Sequence, residues 1–172
     1  MAKSVVQNGF RGGVIYAAAD VSPTTVQSWG VDIGERHGTG HKRYDAIDAI
    51  MLGIMQSITA EAGFPAGRAA TLLNKNRLAI RAAIGAHLTE QSKAKRWRWE
   101  GGPFILIRPR SSRFLGSDDS LSIATVEDLR NLFADGREAT PQIVLSLPVT
   151  INRVMMRLGT VLEGNLAAST DE

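Results

Sequence analysis

Cysteine is absent from this 172-residue chain, which removes disulfide frameworks, thiolate metal sites, thiol redox sensing and cysteine nucleophiles together. Long apolar runs are missing too: strings such as Phe104 to Ile107 last a few residues, far short of the ~18 that a membrane-spanning helix needs. The stretch Met1 to Arg11 has no apolar core of signal-peptide length, so export is not expected. Only 6% of residues are aromatic and 22% are charged, a balance near that of globular domains and unlike that of disordered chains. The expectation is a cytoplasmic protein of one ordinary domain or two small ones.

What is present is an uneven distribution of charge. The formal net charge is only +3. Residues 1–44 carry five basic and three acidic side chains, whereas 45–67 carry three acidic and no basic ones. Residues 68–113 then hold eleven basic against two acidic, and 114–172 hold four against nine. A basic middle with an acidic end gives a directional field, which suits a polyanion on one face; a solvated basic face is the simpler alternative.

Apolar spacing is mostly helical up to about residue 95 and strand-like beyond it. Val14 to Ala19 reads as a short helix. Ser22-Pro23 then opens a second, running to about Trp29, with Ser22 as N-cap and Pro23 at the first helical position, where its missing N–H costs nothing. Residues 30–43 contain four glycines and should form an extended loop or small hairpin. A long helix from Asp45 to Ala62 follows, with Ile47, Ile50, Met51, Ile54 and Ile58 along one core-facing stripe. Gly63-Phe64-Pro65 stops it. A short helix with Ala69, Leu72 and Leu73 comes next, and then one through Ile80, Ile84 and Leu88 to near Ser92. In the second half, Trp97 to Arg108 should fold as a hairpin turning at Glu100-Gly101-Gly102-Pro103, Thr125 to Phe133 as a helix, and Ile143 to Leu147 as a strand. A final amphipathic helix, Val149 to about Glu163, aligns Ile151, Val154, Met155, Leu158, Val161 and Leu162, with Arg153 and Arg157 opposite. The predicted class is thus mainly α, of α+β type: an N-terminal helix-turn-helix with a wing, then a small α+β unit with a β-hairpin and an amphipathic C-terminal helix.

One ordered set of residues resembles a known family. Val21-Ser22-Pro23-Thr24-Thr25-Val26-Gln27-Ser28-Trp29, a Gly-rich loop, Arg43-Tyr44, then Asp48, Leu52 and Met55, then Gly63-Phe64 and Ala69 resemble the MerR-type winged helix-turn-helix in order and spacing. The resemblance covers about residues 10–75 and implies duplex DNA binding by a dimer, with the second helix in the major groove and the wing on the backbone. Gln27 stands where such proteins usually carry Arg, and an α+β segment replaces their long dimerisation helix.

The same residues point that way on chemistry alone. Ser22, Thr24, Thr25, Gln27 and Ser28 offer hydroxyls and one amide to base edges and phosphates, the amide being able to pair with adenine. Arg36, His37, Lys42, Arg43 and Tyr44 are the expected DNA contacts of the wing, where glycines let the backbone approach phosphate. Trp29 should pack in the core, and Tyr44 should pack its ring with the hydroxyl reaching phosphate.

Other candidates are weaker. His37 and His41 are four apart, but Gly38-Thr39-Gly40 separates them and no third ligand adjoins, so no metal is expected. The loop lacks a Gly-Lys-Ser/Thr ending and follows no strand, which argues against a nucleotide P-loop. Lys93 to Trp99 interleaves basic and aromatic residues, which suits either a hairpin face or nucleic-acid contact.

The expected function is a sequence-specific, nucleoid-associated transcriptional regulator of bacterial or phage type, not an enzyme and without a cofactor. Its expected partners are double-stranded DNA, a second copy of the chain and RNA polymerase, with no membrane. Residues 10–75 would bind DNA and 76–166 would dimerise, sense a ligand or meet a partner. The alternatives are an excisionase-like architectural factor that bends DNA and, further off, a small enzyme.

Overall fold

The computed structural model describes residues 9–35, 41–94, 102–110, 118–134 and 142–170. It is mainly helical with one small antiparallel sheet, an α+β arrangement. Helix α1, Gly12–Ala19, begins two residues before its apolar run and ends where Asp20 enters the left-handed region at φ 60°, its N–H bonding to Ala17 and Tyr16 carbonyls. Helix α2, Pro23–Trp29, has the expected bounds. The Ser22 side chain caps it by accepting from the Thr25 N–H.

Helix α3, Ala46–Gln56, starts at a reciprocal capping box: Asp45 accepts from the Asp48 N–H at 2.7 Å and Asp48 from the Asp45 N–H at 3.0 Å. It continues into a π-helical turn, Ser57–Glu61, so the expected span to Ala62 is interrupted in type rather than in path. The single core-facing stripe proposed for α3 is corrected. Every residue from Ala46 to Met55 is buried, because α1, α4, α5 and α7 surround the helix. Gly53 permits this: a Cβ there would lie 2.5 Å from Val154 Cγ2 on α7. Helix α4, Ala66–Lys75, and helix α5, Arg77–Lys93, follow and bury Leu72, Leu73, Ile80 and Ile84.

The hairpin is also corrected. Strand β1, Phe104–Arg108, is the middle strand of the sheet, flanked by β2, Ser120–Ala124, and by β3, Ile143–Ser146. Both its ladders are occupied: Ile105 pairs with Ile123 on one side and with Leu145 on the other. The turn Glu100-Gly101 and the Trp97-Arg98-Trp99 segment fall outside the described residues, as does most of the basic-aromatic run. Ile105, Ile107 and Leu121 join the helices in one core. Helix α6, Val126–Ala134, packs beside β2.

Helix α7, Leu147–Thr170, is longer at both ends than expected, since its first turn follows β3 directly. Its apolar stripe does not wait for a partner. Ile151, Val154 and Leu158 are almost fully buried within the chain, where α7 packs on α1 and α3 rather than mainly on the strands. Arg153 donates to Glu61 at 2.6 Å and to the Ser57 hydroxyl at 2.5 Å, and Arg157 meets Asp20 at 3.1 Å. The last helix thus closes over the first elements and ties down the turn between α1 and α2. No helix among the described residues is long and apolar enough to cross a membrane.

Candidate nucleic-acid interface

Helix α2 is held by two side chains. Val26 and Trp29 are buried, and the rest of its outward surface, Thr24, Gln27 and Ser28, is exposed. Trp29 therefore has its expected core place. The hydroxyls are partly engaged already: Ser22 and Thr25 hydroxyls are 2.7 Å apart, Ser22 and Thr24 3.1 Å, and Ser28 donates to the Thr25 carbonyl at 2.7 Å. Thr25 is half-buried and serves the cap. The exposed Gln27 amide has no such local partner among the described residues, which leaves it the least committed polar group of the helix.

The loop after α2 closes into a small bridge-built structure. Val31 and Ile33 are buried, and Glu35 and Arg43 exchange backbone hydrogen bonds of 2.8 and 2.9 Å. Tyr44 in turn bridges Phe10 at 2.7 and 3.2 Å, so the 41–44 segment lies between the chain before α1 and the chain after α2. Gly34 makes that turn possible. Its φ is +70°, and an added Cβ would sit 2.5 Å from the Tyr44 ring and 2.9 Å from the Arg43 carbonyl oxygen. The half-buried Tyr44 ring meets Tyr16 edge-on at 6.1 Å, and its hydroxyl lies 3.3 Å from the Tyr16 hydroxyl. Arg43 is exposed and donates to the Gly9 carbonyl at 3.4 Å; Lys42 is half-buried. Arg36 and His37 lie outside the described residues.

Side chains that the sequence pattern did not single out fix this geometry. Asn74 of α4 accepts from the Asp32 N–H at 2.8 Å and donates to the Gly30 carbonyl at 3.0 Å, and Arg77 pairs with Asp32 at 2.8 Å. Arg81 of α5 forks onto the α3 cap, reaching Asp48 at 2.7 Å and also Asp45. Asp48 is buried, and its one carboxylate joins the α3 cap to α5. Burial pushes the Asp48 carboxyl above its usual range, against the pull of these hydrogen bonds and of Arg81. In the sequence Asp48 stands out only as a residue at motif spacing.

A concave pocket of about 540 Å³ opens where the N-terminal end of α1 meets the 41–44 segment, lined by Arg11, Gly12, His41, Lys42, Arg43 and Tyr44. Arg11 and His41 were not among the expected DNA contacts: the Phe10–Tyr44 bridge is what brings Arg11 beside Lys42 and Arg43, while His41 directly precedes Lys42 in the chain and was weighed only as a metal ligand. No group of His, Asp and Glu that could hold a metal occurs among the described residues. His87 is buried on α5, and burial lowers its pKa while Glu90 opposes the shift. No protein-family model matches the chain, and no curated protein is similar to it in sequence.

Proposed function

We propose that the chain is a sequence-specific double-stranded-DNA-binding regulator of transcription that acts as a dimer, using a winged helix-turn-helix of the MerR type. In this reading α2 enters the major groove, Gln27 reads a base edge, and Thr24 and Ser28 contact bases or phosphates at its flanks. The wing root, with Lys42 and Arg43, lies on the phosphate backbone. The observation that carries the reading is α2 itself: a short helix pinned by Val26 and Trp29, capped by Ser22, and presenting, after Pro23 at its first position, small hydroxyl side chains and one amide. Small hydroxyl and amide side chains suit a groove lined with hydrogen-bonding base edges, which bulky or acidic groups would not fit.

Dimerisation in this reading cannot use the buried stripe of α7. The exposed Val149 and Met156, on the opposite side of that helix, are the apolar groups α7 leaves outside. The test of DNA binding is a titration of random and selected duplexes at two salt concentrations. Arg43→Ala should weaken binding to all sequences alike and lower the salt slope by about one. Gln27→Ala should alter base preference by about 1–3 kcal/mol at one position. If both variants behave like the parent, the docking is wrong.

A further inference from the structure

We infer that the pocket between the N-terminal end of α1 and the 41–44 segment is a phosphate site, taking a phosphate-bearing group between Arg11 on one side and His41, Lys42 and Arg43 on the other. The first ground is charge. Elsewhere among the described residues Arg68, Arg77, Arg81, Arg130, Arg153 and Arg157 each meet a carboxylate, while Lys75, Lys93 and Arg108 meet none but line no pocket with other cations. Among the described residues, Arg11, His41, Lys42 and Arg43 have no acidic partner, and no carboxylate lines the pocket. The cationic Arg11, Lys42 and Arg43, gathered in a concavity, repel one another, and an anion relieves that repulsion most where the walls concentrate the field. Guanidinium and ammonium groups together supply the planar fork and the point charge that phosphate oxygens accept.

The second ground is shape. The volume, about 540 Å³, falls in the range of small-ligand sites and exceeds what a lone oxyanion fills, so a nucleotide-sized group fits. The floor is fixed by backbone bridges rather than by long side chains: Phe10 to Tyr44, and Glu35 to Arg43. Gly12, in the wall, leaves room for the Tyr16 ring, which a Cβ there would meet at 3.0 Å.

Two sources could supply the phosphate. One is a backbone phosphodiester of the duplex, and that source rests on the DNA-binding reading; the other is a free phosphorylated small molecule, which does not.

The experiment follows backbone amide resonances of the full chain during titration with inorganic phosphate and with a nucleoside 5′-monophosphate, at ionic strength held constant with chloride. The expected result is saturable shifts at Gly12 and at 41–44. Arg11→Gln and Lys42→Gln should each weaken them about tenfold, the loss of one charge-assisted hydrogen bond, while Lys75→Gln on α4 leaves them unchanged. Arg11 is exposed, so its variant should fold. A duplex is then added to the phosphate-loaded protein. Displacement of phosphate identifies the diester as the source, and duplex binding without displacement identifies a soluble phosphorylated ligand; both support the site. Shifts that rise linearly without saturating, or that persist undiminished in the Arg11 and Lys42 variants, overturn it. Duplex binding accompanied by that negative result would remove the pocket and leave the DNA reading standing.

Discussion

Helices α2 and α3 carry similar N-terminal signals, a capping side chain followed by apolar residues, yet they end in opposite environments. Helix α3 is buried on every side from Ala46 to Met55, while α2 buries only Val26 and Trp29. The difference lies in side-chain size. Ala46, Ala49 and Gly53 let neighbouring helices close on the faces of α3 that the large residues do not fill, whereas the small residues of α2, Thr24, Thr25 and Ser28, carry hydroxyls that favour water or a polar ligand. One helix is therefore the pillar of the fold, and the other is a presented surface that the pillar and its neighbours hold in place.

Breaking the pillar should have the largest effect. Leu158 on α7 is buried in the core that α7 shares with α1 and α3, so Leu158→Asp, which buries a charge, should cost more than about 4 kcal/mol and leave no cooperative denaturant transition. A folded monomer with this substitution would show that α7 does not close the core. Gly34→Ala tests the turn that links the two regions. It combines a strained φ with a clash against the Tyr44 ring and should cost about 2–3 kcal/mol by denaturant titration, with loss of the Tyr16–Tyr44 contact.

Next comes the ion cluster at the head of α3. Removing Arg81 leaves the buried Asp48 without its cation, and since Arg81 itself is partly exposed the expected cost is about 2 kcal/mol, between the values for surface and buried pairs. Acid titration of stability separates this cluster from a surface one. The hydrogen bond from Arg68 holds the Asp119 carboxyl below its ordinary range, so its contribution is present above the unfolded value and is lost as pH falls through the lower folded one. Asp48, raised by burial, runs the other way: its contribution is complete below the unfolded value and declines as pH rises through the raised one. Asp119→Asn should flatten the acid loss seen in a melting-temperature profile, and Asp48→Asn should not.

Much of the helical scaffold was legible because its signals are local. Ser22-Pro23 and Asp45 mark their helix starts through single side chains, and Gly63-Phe64-Pro65 marks a stop. The strand Ser120–Ala124 was missed since Leu121 and Ile123 alternate with serines over only five residues, too short a pattern to stand out, and the choice of β2 over 97–99 as the neighbour of β1 depends on distant pairing. The all-round burial of α3 was hidden in Ala49, Leu52, Gly53 and Met55, which lie off the isoleucine stripe. In the candidate interface, Ser22, Gln27, Lys42 and Arg43 were visible as residue types at motif spacing. Arg11, Asn74 and Arg81 were not, because each acquires its role through a contact with chain far away in sequence, and His41, beside Lys42, was weighed only as a metal ligand.

The smallest expected effect on stability is the most telling for function. Gln27→Ala, on the exposed face of α2, should change stability by no more than about 0.5 kcal/mol. Selection of bound duplexes from a random pool, carried out in parallel with the parent chain and with this variant, tests the central claim directly. The account predicts that the parent enriches one sequence and that the variant, equally folded, relaxes or switches preference at a single base pair within it. Enrichment of no sequence by the parent, or the same sequence with the same preference from both proteins, would contradict the role assigned to α2.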